Sequence, residues 1–349
     1  MTTFAALFVP PPLREAVSDR AWLAAMLAAE QALVPGVEAP GVDLDQLLEE
    51  GRAVANPVEP LVRRLRERTP EAHRGSTSQD ILDTAAMLVA KDASALILDE
   101  LRRARDAAAQ LARTHRSTPM AARTLLQQSV PTTFGYVAAQ WYVALRAPEL
   151  RFPAQLGGAA GTLAAFGGDW RDRKARFAEA LGLEDPPLPW HTNRQPVAAI
   201  AHGLDASAQA AAKIALDVIL LAQTEVGEVS EGAGGGSSTM PHKRNPARAV
   251  RARACARGVH AQASLLTATG DYELQRAAGA WQAEWNALSE ALALTGGAVW
   301  AIRECLESLE VDAERMRANM REELYSERDA LGLEGDYLGA AEAFVDSVL

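Results

Sequence analysis

The chain is expected to fold as an all-α protein, a bundle of long helices, and three observations carry that expectation. From about Gln79 to Arg116 the sequence runs without proline or glycine. Apolar side chains recur there at three- and four-residue steps, the spacing of one buried helix face. Strand signals are scarce by comparison. Composition agrees: hydrophobic residues make up 48%, aromatics only 5%, and the alanine bias favours helix.

The elements follow in order. The opening MTTFAALFVPPPLREAVSD has a short apolar run but neither a basic leader region nor a small-residue cleavage site, so it reads as mature protein. PVEPLVRRLRE starts a shorter helix just after Pro57. HRGSTSQD, residues 73–80, precedes the first long helix, with Thr77 or Ser78 as its N-cap. A helix of about 35 residues would be about 50 Å long, a length typical of bundles. EDPPLPWHTNRQP, residues 184–196, reads as a stiff connection. Further long helices are expected from about Ala206 to Ser230, from Pro246 to about Thr269 and from Trp281 to about Leu309. The pair Gly296-Gly297 marks a possible bend in the last of these. EGAGGGSSTMPHKRNP, residues 231–246, is a glycine-rich loop, and EGDYLGAAEAFVDSVL closes the chain as a small helix. The expected domains are an N-terminal helical region over 1–76, the long-helix bundle over 77–310 and a short C-terminal remnant over 311–349.

Several classes are disfavoured. A net charge of −10 argues against a general nucleic-acid binder. No stretch approaches the roughly 20 apolar residues of a membrane span. Cys255 and Cys305 form no CxxC or ligand spacing and read as packed thiols in a reducing compartment. The expectation is a soluble, cytoplasmic protein, and no HExxH, GxSxG or GxGxxG arrangement points to a metal, nucleophile-elbow or dinucleotide mechanism.

The glycine-rich loop carries the most chemistry. Gly234, Gly235 and Gly236 leave backbone N–H groups unhindered, and Ser237, Ser238, Lys243 and Asn245 can donate to a carboxylate. A phosphate-binding P-loop fails, because GK[ST] is missing and no strand precedes the glycines. From the residues alone the segment reads either as a linker or as a lid over an anion.

Three segments resemble the fumarase/aspartase superfamily. Residues 236–246, GSSTMPHKRNP, look like its GSSxMPxKxNP signature. HRGSTSQD is similar to its H-x-G-x-T-S-x-D segment, and ARTLLQQSVPTTFG, residues 122–135, to its GRTxxQxxxPTTFG segment. ANPVEPLV, TSQDILDTA, PWHTNR and GAWQAEW resemble the cycloisomerase branch in particular. The resemblance implies a cofactor-free enzyme that closes 3-carboxy-cis,cis-muconate to a carboxymuconolactone through an aci-carboxylate. An adenylosuccinate- or argininosuccinate-type lyase and an inactive structural homologue are the alternatives. It also implies a small anionic polycarboxylate as substrate and a homotetramer with shared active sites, with neither nucleic acid nor membrane as partner.

By resemblance Ser237 is the proton-transfer residue, and His73 a second catalytic group unless it only caps nearby backbone. Thr77, Ser78, Gln79, Thr124, Gln127, His191, Arg194, Ser238, Met240, Lys243 and Asn245 are the implied substrate-binding positions. A carbanion beside a carboxylate places a second charge on that carboxylate, which needs preorganised donors. Two departures stand out. Relatives often carry a histidine where this chain has Leu125, Gln127 and Gln128, and they commonly continue into a C-terminal helical domain that is largely absent here. Arg276 reads equally as a substrate contact or a partner of Glu273. Trp281 and Trp285 read as packing residues, and the run Arg248, Arg251, Arg253, Arg257 as a solvated face or subunit contact. His115, His202 and His260 read as helix-surface groups and His242 as a loop residue.

Overall fold

The computed structural model describes residues 4–38, 41–232, 235–236, 239–240, 242–268 and 270–349. Its fold is all-α, with a few two-stranded ladders. Contacts between backbone positions divide the chain into two compact units. One holds residues 1–96, 148–205 and 258–296, the other 97–147, 206–257 and 297–349. No described helix is long and apolar enough to cross a membrane.

Short helices α1 (Ala5–Phe8) and α2 (Pro11–Ala16) lead into α3 (Asp19–Leu33), α4 (Leu44–Arg52) and α5 (Val58–Arg66). Ser18 caps α3 by accepting from the Ala21 N–H, and Asp43 caps α4 by accepting from Gln46. Asn56 accepts from the N–H groups of Val58 and Glu59 and so starts α5 behind Pro57. Leu13, Leu47, Leu61 and Leu65 are fully enclosed, each such burial contributing about 2 kcal/mol.

The first long helix, α6, runs Ser78–Thr114, 37 residues. Thr77 precedes it, and the Asp80 carboxylate accepts from the Thr77 N–H at 3.0 Å, the return half of a capping box. After α7 (Phe134–Ala144) and α8 (Trp170–Leu181) comes α9, Gln195–Leu221. It begins well before the expected Ala206, because Pro196 falls in its first turn, where a missing N–H costs nothing. It ends before the expected Ser230, where the chain turns into a strand. The remaining long helices are α10 (Ala247–Ala268) and α11 (Ala280–Glu307). Helix α11 passes Gly296 and Gly297 as one element. A Cβ at Gly296 would overlap the Leu13 side chain, so that glycine makes room for a neighbour rather than a bend.

In the second unit, β1 (Pro119–Thr124) and β2 (Gln127–Thr133) form an antiparallel hairpin that the sequence reading missed. Its turn residues, Leu125 (φ 49°) and Leu126 (φ 65°), both lie in the left-handed region. Asn-Gly is the usual signal for such a turn, and two leucines carry none. Strand β3 (Val229–Glu231) pairs with β6 (Leu309–Val311), and Gly235–Gly236 (β4) pairs with Arg244–Asn245 (β5). Buried Glu231 caps α10 by accepting from the N–H groups of Arg248 and Ala249. Helices α12 (Ala313–Asn319), α13 (Ser326–Ala330) and α14 (Ala341–Val348) complete the chain. Cys255 and Cys305 are free and buried, and burial pushes the Cys255 thiol up to about 11.

Candidate active site

The start of α6 is densely hydrogen-bonded. Asp80 is fully buried, and its carboxylate accepts from the N–H groups of Thr77, Gly157 and Gly158 and from the Gln155 amide. The His191 Nε2 lies 2.7 Å from the same carboxylate. Gly157 must be glycine, since a Cβ would stand 2.7 Å from His191 Cε1.

One turn further along α6, Asp83 faces Arg194. The Arg194 guanidinium donates to both Asp83 oxygens at 2.7 and 3.1 Å and to Glu284 at 2.5 Å. Trp281 Nε1 donates to Asp83 at 2.9 Å. The Trp190 and Tyr272 rings flank the guanidinium carbon at 4.8 and 5.1 Å. Burial opposes the Arg194 charge, but Asp83 and Glu284 outweigh it and raise its pKa further. Burial pushes the Glu284 carboxyl above its ordinary value against the pull of Arg194.

Gln79 belongs to this cluster. Its amide donates to Asp83 at 2.9 Å and to the His191 carbonyl at 2.8 Å, while its oxygen accepts from Arg276 at 2.8 Å. Gln79, His191 and Arg194, expected as substrate contacts, are therefore enclosed and bonded to protein neighbours. The Arg276 side chain does not pair with Glu273, donating instead to Gln79 and to the Ala159 carbonyl. Trp281 and Trp285 pack edge to face at 4.9 Å, as expected.

His73 stands differently. Its backbone is left-handed (φ 64°), and its Nδ1 lies 2.6 Å from the Oε1 of Glu30, a carboxylate with no exposed surface. An ionised carboxylate only accepts, so Nδ1 carries the proton and Nε2 keeps its lone pair while the ring is neutral. With Ser78, Glu59, Val62, Arg63 and Arg66, His73 lines a cavity of about 340 Å³.

The other expected residues belong to the second unit. Thr124 and Gln127 pair across the hairpin tip, both exposed. The hairpin is anchored one residue earlier, where Arg123 donates to both oxygens of buried Glu228 at 2.6 and 3.0 Å, and Asn319 donates to Glu228 at 2.8 Å. Gln128 donates to the Asn319 carbonyl at 2.9 Å. In the glycine-rich segment Met240, His242 and Lys243 are exposed and Asn245 is half-buried. Ser237 and Ser238 lie outside the described residues. The basic run on α10 is not uniformly solvated: Arg251 pairs with Glu304 at 2.6 Å and lies over Trp300.

Sequence reasoning missed Glu30, Asp80, Asp83 and Glu284 as organising groups. A signal was present, because acids inside apolar runs such as LAAEQAL and WQAEWNAL demand buried partners.

The family described as Lyase matches residues 46–260. The chain belongs to it. It is an enzyme of the fumarase/aspartase superfamily. It is 45% identical to a nitrosuccinate lyase from Streptomyces davaonensis, over 88% of this chain and 74% of that protein. It is 39% identical to a 3-carboxy-cis,cis-muconate cycloisomerase from Bradyrhizobium diazoefficiens, over 88% of this chain and 76% of that one. The crystal structure of the 3-carboxy-cis,cis-muconate lactonizing enzyme from Pseudomonas putida superposes with a TM-score of 0.87 at 31% identity. That match covers 99% of this chain and 98% of the other. The long-helix bundle expected from the sequence is thus the fold of this superfamily.

Proposed function

We propose that this superfamily member closes 3-carboxy-cis,cis-muconate to a carboxymuconolactone. The single observation that carries the reading is the full-length fold likeness to the lactonizing enzyme; the cycloisomerase relative adds to it. One substrate carboxylate oxygen forms a C–O bond to the ring-closing carbon. The displaced π electrons pass to the carbon beside another carboxylate, whose oxygens hold the charge until that carbon takes a proton. The ionised substrate gains that one proton and loses one carboxylate charge to the new ester, and no other atom is added or removed.

In this reading Ser237 delivers the proton, and Lys243, Asn245, Thr77 and Ser78 donate to the charged oxygens. Thr124, Gln127, Ser238 and Met240 line the substrate. His73, its ring oriented by Glu30, exchanges a proton through Nε2. Gln79, His191 and Arg194 serve as positioning residues: they hold the start of α6 and the 155–158 segment in register.

A second reading rests on the 45% identity to a nitrosuccinate lyase. On nitrosuccinate the same machinery would remove a proton beside a carboxylate and break the C–N bond, giving fumarate and nitrite. One assay separates the two. Purified protein and its Ser237→Ala variant are given each compound, with ultraviolet loss of the diene and colorimetric nitrite as readouts. Diene loss with lactone formation, abolished in the variant, supports lactonisation. Nitrite release without diene loss overturns the muconate substrate and keeps the elimination chemistry, and silence in both sinks both readings.

A further inference from the structure

We propose that Arg66 is the residue that anchors a carboxylate of the substrate, in the cavity it shares with His73 and Ser78. This deepens the proposed function and rests on its small polycarboxylate substrate.

The cations near the end of α5 are committed to different partners. Arg64 donates to both oxygens of Glu50 at 2.9 and 2.8 Å. Arg63 donates to Glu50 at 2.9 Å and lies 4.0 Å from Glu59. Each of these charges is answered by a carboxylate. Arg66 is held differently: its Nε donates to the Ala72 carbonyl at 3.1 Å. Among the described residues no carboxylate pairs with it. The bond to Ala72 fixes one edge of the guanidinium and leaves the two terminal nitrogens as a fork. That fork matches the two oxygens of a carboxylate, and fixing it beforehand lowers the entropy lost on binding.

The cavity wall supplies the rest. Ala72 directly precedes His73, so the residue that orients Arg66 is joined to the histidine that Glu30 orients. Ser78 contributes a hydroxyl, and Val62 an apolar patch suited to the carbon skeleton. A cavity of about 340 Å³ has room for a compact di- or tricarboxylate. Glu59, also on the wall, faces Arg63, so the positive excess falls on Arg66.

The test uses binding of a ligand that does not react, tricarballylate (propane-1,2,3-tricarboxylate), measured by titration calorimetry on the full chain. Arg66→Leu is expected to weaken binding about tenfold or more, and Arg66→Lys to restore part of it, since a point charge replaces a fork. Arg68→Leu removes an equal charge two residues away, outside the cavity wall, and is expected to bind like wild type. Melting curves of all three are expected to coincide with wild type, so a structural role would show itself separately. In turnover the Arg66→Leu loss should fall on KM more than on kcat. Wild-type binding that Arg66→Leu leaves unchanged overturns the inference and spares the functional reading. An equal loss in Arg68→Leu reduces the effect to net charge and also overturns it. Failure of wild-type protein to bind any tricarballylate sinks the polycarboxylate reading itself, and the inference with it.

Discussion

Two segments that resemble superfamily signatures, HRGSTSQD and GGGSSTMPHKRNP, are built on opposite principles. Around the first, Gln79, Asp80 and the neighbouring His191 and Arg194 are enclosed and bonded to protein groups, and only His73 and Ser78 reach a cavity. Asp80 gathers backbone N–H groups from two stretches of chain, and buried Arg194 is shared between buried Asp83 and Glu284. Around the second, the described side chains Met240, His242 and Lys243 face solvent, and short pairing of Gly235–Gly236 with Arg244–Asn245 holds the base. The difference teaches which kind of work each can do. A buried charge cluster stabilises only if every member is present. Exposed donors add little to stability and remain available to a ligand.

The largest expected effect tests the second segment. Ser237→Ala should lower kcat on the order of a thousandfold, the scale of a lost proton-transfer group, and leave the melting temperature unchanged. A large drop in melting temperature would show that the loop carries stability, and the contrast between the segments would collapse.

The next effect tests the first segment. Arg194→Met leaves Asp83 and Glu284 buried without a counter-charge, so unfolding free energy should fall by about 3–5 kcal/mol in urea titration. A loss under about 1 kcal/mol, the scale of an exposed ion pair, would break the comparison from the other side.

A pH series sharpens the same point. Burial raises the Glu284 carboxyl above its ordinary value of 4.5, so the folded state binds this proton more tightly than the unfolded state. Stability from this group is therefore full at pH below 4.5 and is lost as pH rises through the raised value. Removing Arg194 takes away the main opposing pull and raises the carboxyl further. The gap between Arg194→Met and wild type should then narrow on acidification from neutral pH toward the ordinary carboxylate range. A gap that widens would mean the acids are not the source of the instability.

The smallest effect concerns the hairpin, which combines both principles in one element. Just below its tip Arg123 ties it to buried Glu228, while Leu125 and Leu126 at the tip are 97% and 70% exposed and left-handed. Replacing the pair by Asn-Gly should raise stability by about 2 kcal/mol, because each leucine costs about 1 kcal/mol in this conformation. Activity measured on the same variant shows whether the strained tip takes part in turnover.

Much of this was legible in the sequence, for physical reasons. A helix is a local object: its periodicity, its caps and its breakers lie within a few residues of one another. The limits of α6, α10 and α11, the start of α5 behind Pro57 and the final helix could be read from that alone. The hairpin could not, because its Leu-Leu turn lacks the residues that make such turns cheap. The early start of α9 was hidden because Pro196 looks like a breaker until it is placed in a first turn.

The roles of the polar residues lay further from reach. Gln79, His191 and Arg194 were found as a group by family signature, but the sequence could not say that protein neighbours engage them. Gln79 meets the His191 carbonyl across 112 positions, and Arg194 meets Asp83 across 111. Local composition holds no record of such pairings. The sequence by itself determined where the helices run, which superfamily the chain belongs to and which residue types stand at its signatures. Only the tertiary structure decided which of those residues are locked in place and which remain open, because burial and hydrogen-bond partners are properties of segments brought together by folding.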